Sequence, residues 1–147
     1  RYVLVSYFIP FGSNAISNYK FVLQAYRQLP GGYEPVATWG DDFRDTIAFV
    51  QQVKSPWANE VWLFAHGQHA GPMQYHEKVS ILKFDGTRFE RMWAALEGLR
   101  SPAYKLNDSS IQVDSLWDEM GGPEIHSVLR LTQGGIVEEK LLPAITR

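Results

Sequence analysis

Histidine is the side chain most easily turned to proton transfer or metal binding near neutral pH. Three of the four histidines here lie close together, in His66-Gly67-Gln68-His69-Ala70-Gly71 with Met73 and His76 beyond. Imidazoles from one short loop often begin a zinc or copper site. Two features argue against one. No carboxylate is interleaved, Glu77 standing apart, and the chain has no cysteine to add a thiolate. His66 and His69 are therefore assigned to a loop or strand end making ordinary hydrogen bonds. Other chemistry fares no better. There is no Gly-x-Ser-x-Gly elbow, and Gly12-Ser13 lacks the second glycine. Asp118-Glu119 and Glu138-Glu139 would point to opposite sides of a strand, which rules out shared carboxylate catalysis. Gly31-Gly32, Gly121-Gly122 and Gly134-Gly135 read as turns rather than phosphate loops. No catalytic, cofactor-binding or metal-binding residue is assigned. Trp39, Trp57, Trp62, Trp93 and Trp117 offer a stacking surface instead, with Trp57, between Pro56 and Asn59, expected to be the most exposed.

The segments around these residues are short, β-branched and aromatic, bounded by turn residues. Tyr2–Ile9, Val61–Phe64, Val79–Phe84, Ser110–Val113 and Val128–Leu131 have strand character. Leu29-Pro30-Gly31-Gly32, Asp85-Gly86, Gly121-Gly122-Pro123 and Gly134-Gly135 separate them. Residues 15–29, 43–54 and 87–99 read either way. Tyr19, Val22, Leu23 and Tyr26 sit at helical spacing, as do Phe43, Ile47 and Val50. Phe89, Met92, Trp93, Leu96 and Leu99 form an apolar stripe behind Thr87 and Glu90, a capping-box pair.

Internal repetition decides in favour of strands. Sliding the chain by 58 residues lays Val3 on Val61, Val5 on Leu63, Phe21 on Val79, Leu23 on Ile81 and Tyr26 on Phe84. Each copy then meets a glycine-containing turn and an aromatic-Glu pair, Tyr33-Glu34 and Phe89-Glu90. The expected fold is mainly β and antiparallel, one domain over 1–147. It has two propeller-blade-like four-strand meanders, at about 2–54 and 60–117, and a terminal hairpin as a partial third copy at about 124–142. In this reading Asp85-Gly86 is a two-residue hairpin loop that sets Leu82 opposite Phe89 and Lys83 opposite Arg88, with Leu82, Phe84, Phe89 and Trp93 on one face.

Two resemblances bear on this. Val53-Lys54-Ser55-Pro56, Glu60-Val61-Trp62-Leu63, and Ile81 through Phe89 with Trp93 resemble the propeller-like, FG-GAP-like hairpin repeats of uncharacterised secreted bacterial β-proteins. That resemblance implies a β-fold and an extracytoplasmic home, and carries no active site. Asp41-Asp42 and Asp85-Gly86 are too sparse for the calcium loop such repeats often hold. The alternative is an α/β, caspase-like three-layer domain, since a buried strand ending in His66-Gly67 is similar to the catalytic-histidine strand of that family. It would be inactive, because the expected nucleophile strand, Ile111–Leu116, holds no cysteine.

The chain has 147 residues, 45% apolar and 20% charged, with net charge −2 and scattered Lys and Arg. That excludes the basic footprint of a nucleic-acid binder. The longest apolar run, Tyr2–Phe11, contains Ser6 and Pro10 and is too short for a membrane-spanning helix. The chain begins at Arg1 without an initiator Met, which reads as a mature or trimmed form. These observations lead to the expectation of a non-enzymatic, extracytoplasmic or secreted binding or interaction module, without cofactor, with a carbohydrate or protein partner.

Overall fold

A computed structural model of the chain describes residues 1–10, 19–41, 46–57, 59–70, 75–100, 103–115 and 125–141. Among them every regular element is a strand: β1 (Tyr2–Pro10), β2 (Tyr19–Leu29), β3 (Gly32–Asp41), β4 (Thr46–Val53), β5 (Val61–Ala70), β6 (Tyr75–Phe84), β7 (Phe89–Arg100), β8 (Ala103–Asn107), β9 (Ser110–Ser115), β10 (Ile125–Thr132) and β11 (Gly135–Lys140). They form three antiparallel meanders, β1-β2-β3, β4-β5-β6-β7 and β8-β9-β10-β11. The mainly β, antiparallel expectation holds, and the α/β caspase-like alternative is overturned. No helix among the described residues is long and apolar enough to cross a membrane.

The helix-like spacing has two causes in the strands. Phe21, Leu23 and Ala25 are buried on one face of β2, and Val22 on the opposite face is buried as well, which blurs the alternation expected of a half-buried strand. In β7 a bulge does the same. Ile81 pairs with Trp93 and Leu82 with Arg91, which leaves Met92 without a partner and lets Met92 and Trp93 pack against the same core.

A shift of 58 residues carries Val3↔Tyr26 of β1–β2 onto Val61↔Phe84 of β5–β6, and Leu4↔Ala25 onto Trp62↔Lys83. The sheets span residues 2–41, 46–100 and 103–140, and β8 and β9 extend the terminal hairpin β10–β11 into a third, four-stranded sheet.

The second sheet lies in the middle, and its alternating side chains serve two cores. Val53, Trp62, Phe64, Val79 and Ile81 pack on Ile111, Val113, Leu129 and Leu131 of the third sheet. Leu63 and Leu82 face the other way, onto Phe21 and Leu23 of the first, with Leu4, Trp39, Val50, Val61 and Phe89 around them. The β8–β9 turn ties the second and third sheets together. Ser109, at φ 61°, donates its N–H to the Lys54 carbonyl at 3.1 Å and accepts from the Leu131 N–H at 2.9 Å.

The β6–β7 connection corrects one expectation. Phe84 pairs with Phe89 and Lys83 with Glu90, so the loop is the four residues Asp85–Arg88 and Trp93 faces the third sheet, away from Leu82. The reason is Asp85. One carboxylate oxygen accepts from the Thr87 N–H at 2.8 Å, the Thr87 hydroxyl at 2.7 Å and the Arg88 N–H at 3.0 Å. This longer turn also avoids the Lys83–Arg88 clash of the tighter register.

Gly86 sits at φ 96°, and a Cβ there would stand 3.0 Å from the Tyr2 hydroxyl. Gly86→Ala should therefore lower stability by about 1 kcal/mol, read as a shift in denaturant midpoint at constant slope. The bonds from Thr87, with that from Arg88, hold Asp85 at a pKa of about 2. A depressed folded-state pKa gives stability that is complete above the unfolded value and lost as pH falls through the folded one. The melting-temperature gap between wild type and Asp85→Ala should thus be constant above pH 5 and close between pH about 4 and about 2. A gap unchanged at the acid end would show that the carboxylate charge does not hold the turn.

Candidate functional site

Three arrangements of polar or exposed apolar residues bear on function. The first lies inside the fold. His66 on β5 and Glu77 on β6 are diagonal neighbours facing the third sheet, with His66 Nδ1 2.5 Å from a Glu77 carboxylate oxygen. With Glu77 ionised the proton of that bond sits on Nδ1, because a carboxylate only accepts. Phe64, His66 and Tyr104 of β8 form a cluster of rings, with centroids 4.8 to 5.3 Å apart. The Tyr104 hydroxyl is buried beside the Glu77 carboxylate, with no partner among the described residues aligned for a hydrogen bond. Burial, and after it the negative charge of Glu77, holds the phenol above its ordinary range.

A histidine–carboxylate pair has the parts of a general base. Here both side chains are packed between two sheets, 15% and 8% exposed, so a substrate atom has no open approach to the carboxylate. What the pair does is satisfy two polar groups inside an apolar interface. The strand register sets His69 opposite His76, their side chains lying outside the described residues, as do Gly71 and Met73. Among the described residues no three His, Cys, Asp or Glu side chains gather as a metal set.

The second arrangement is the outer face of the third sheet, which is mostly polar, with Val128 and the exposed Val137 among its positions. His126 Nδ1 lies 2.9 Å from Asp114, and Gln112 donates to the same carboxylate at 2.9 Å. Arg130 donates through Nε and Nη2 to Glu139 at 3.2 and 3.1 Å, and Lys105 projects from β8 on this side. These are cross-strand neighbours on a solvated surface.

The third arrangement is the outer face of the first sheet, and it is apolar. By strand alternation Val3, Val5 and Tyr7 of β1 stand beside Tyr26, Gln24 and Val22 of β2, with Tyr33 of β3 beyond. Val5 is 40% and Tyr33 60% exposed. Val3, Val5, Tyr26 and Tyr33 line an open hollow of about 400 Å³. The 58-residue shift equates Val3, Val5 and Tyr26 with Val61, Leu63 and Phe84, which form the face of the second sheet that the first sheet covers. The same pattern is thus buried once and exposed once.

The tryptophans do not form the surface expected of them. Trp62 is fully buried, and Trp57 is half-buried with its ring 6.3 Å away and its backbone N–H donated to the Ser55 hydroxyl. Trp39 and Trp93 pack against the two cores, and Trp117 lies outside the described residues, as do Gly12-Ser13, Asp118-Glu119 and Gly121-Gly122. Tyrosines carry the exposed aromatic surface instead. Val3, Val5, Tyr7, Tyr26 and Tyr33 carry no chemical motif that marks them as a surface, and the absence of any charge in Tyr2–Pro10 is the signal they leave in the sequence.

Two substitutions separate a structural from a reactive role for the buried pair. Glu77→Ala leaves the imidazole without its partner and should cost roughly 2 kcal/mol or more. Tyr104→Phe removes a hydroxyl with no aligned partner and should be neutral or stabilising by up to about 1 kcal/mol. Denaturant unfolding of both variants measures this; a large loss on Tyr104→Phe would mean the hydroxyl is bonded. Comparison of the chain with family models, with curated proteins and with solved structures finds no match.

Proposed function

We propose that this chain is a non-enzymatic interaction module that docks a protein partner on the outer face of its first sheet. The observation that carries the reading is the contrast between the two outer faces. The third sheet presents bonded polar and charged side chains to solvent. The first presents Val3, Val5, Tyr7 and Tyr33 in a contiguous patch. A contiguous exposed apolar patch marks an interaction surface, and tyrosine suits one because its ring buries area while its hydroxyl stays wet. Tyr7 already uses its hydroxyl in this way, donating to Gln24 at 3.1 Å.

A protein partner fits this surface better than a carbohydrate. The hollow is walled by two valines and two tyrosines, with few of the convergent polar groups that orient a sugar. The blade-like character of the meanders and an extracytoplasmic home rest on the resemblance to secreted hairpin-repeat proteins, and they form part of the same proposal. The absence of enzymatic activity is supported by the burial of His66 and Glu77.

A photo-crosslinking amino acid placed at Tyr33 or Val5, and in a second pair of variants at Lys105 or Gln112, tests the reading in the cells that make the protein. Discrete adducts from the first pair and none from the second are expected. Adducts from the polar face alone, or from neither face, would contradict it.

A further inference from the structure

The bulge in β7 sets Trp93 opposite Ile81 and Arg91 opposite Leu82, so Met92 stands outside the ladder with β6. Its side chain packs on the core between the second and third sheets. The far end of that side chain reaches the β10–β11 turn, where a Cβ on Gly135 would lie 3.6 Å from the Met92 methyl carbon. Ile136, next to Gly135, joins the same core from the third sheet. The residue after Met92 makes a second link, Trp93 donating its indole N–H to Glu138 of β11 at 3.4 Å. β7 therefore meets β11 through a thioether and a long hydrogen bond.

Methionine suits a bulge, because its three rotatable bonds let it fill an irregular gap that a branched side chain would miss. It is also an apolar side chain that a mild oxidant converts into a polar one. Met92 is half-buried, neither sealed in the core nor standing in solvent. The sequence has no cysteine to compete for an oxidant, and of its three methionines Met73 and Met120 lie outside the described residues. Two side-chain donors at the joint are already committed. The Trp93 indole is held by Glu138, and the Thr132 hydroxyl donates to the Gly135 carbonyl at 2.9 Å. A new oxygen on the Met92 sulfur competes for such donors or stays unpaired, and an unpaired buried polar group is costly.

From this we infer that Met92 is a redox-sensitive joint, where oxidation of the thioether by a peroxide loosens the contact of β7 with the third sheet. A sulfur lone pair attacks one oxygen of hydrogen peroxide, and the O–O bond breaks as the S–O bond forms. The second oxygen leaves as hydroxide and takes the proton of the first, giving water. Sulfur is oxidised by two electrons and the peroxide reduced by two. The core under the first sheet, around Leu63 and Leu82, does not include Met92, so the inference is independent of the docking surface proposed above.

The test uses the full chain carrying Met73→Leu and Met120→Leu, which leaves Met92 as its one thioether. Hydrogen peroxide is added, and peptide mass spectrometry confirms one oxygen at Met92. The melting temperature should fall by about 5 °C or more. Amide exchange at Val137 and Glu138 of β11 should quicken about tenfold. Met92→Leu in the same background nearly conserves volume, and its melting temperature should not respond to peroxide. Met92→Gln, similar in length but polar, should reproduce the loss without oxidant, and it serves alone if Met92→Leu does not fold. Complete oxidation of Met92 with the melting temperature unchanged would overturn the inference. So would an equal peroxide response in Met92→Leu, a Met92→Gln variant as stable as its parent, or a Met92 that resists peroxide at a dose that oxidises a methionine peptide.

Discussion

The second sheet has no face of its own to give to water. Along β5 and β6 successive side chains alternate between two apolar cores, Trp62, Phe64, Val79 and Ile81 to one side and Leu63 and Leu82 to the other. A sheet of this kind is unstable until both sides are covered, because burial of apolar area is the main favourable term in folding. The first and third sheets are those covers. Two polar groups that enter the interfaces are paired there, Glu77 by His66 and Ser127 by Glu138 at 2.9 Å, a carboxylate that also receives the Trp93 indole N–H at 3.4 Å, whereas the buried Ser80 and Tyr104 hydroxyls have no aligned partner among the described residues.

The two covers differ in what they show to solvent. The third sheet shows mostly polar side chains, Lys105, Gln112, Asp114, His126, Arg130 and Glu139, with Val128 and Val137 among them. The first sheet repeats the pattern of the second, so its outer face resembles a surface that is buried elsewhere in the same molecule. The functional reading follows from that asymmetry rather than from any reactive group.

Most of the fold was legible because strand pairing preserved the apolar pattern that the sequence repeats. Val3 and Val61, or Tyr26 and Phe84, occupy the same register positions, and a sliding comparison finds them without knowledge of the sheets. Other features were hidden for physical reasons. The bulge at Met92 and the burial of Val22 on the face opposite Phe21 and Leu23 both blur the period-two signal, giving spacing that imitates a helix. The β6–β7 loop was misjudged because Asp-Gly signals a two-residue turn, while the carboxylate of Asp85 stabilises four residues by bonding two positions ahead and three. The candidate site was the least legible part. Which face of a sheet is exposed among the described residues depends on the stacking of sheets, and no local pattern encodes it. The His66–Glu77 contact likewise needs the β5–β6 register before its two residues meet.

The central claim is that the second sheet makes one cooperative unit of all three. Native-state amide exchange on Phe64→Ala tests it, since Phe64 touches the third-sheet core and belongs to no contact with the first. Such a large-to-small change in a packed core costs about 3–5 kcal/mol. If the second sheet couples its covers, protected amides in β2 must lose protection by the same free energy as those in β9 and β10. Undiminished protection in β2, beside a loss confined to β9 and β10, would contradict the account.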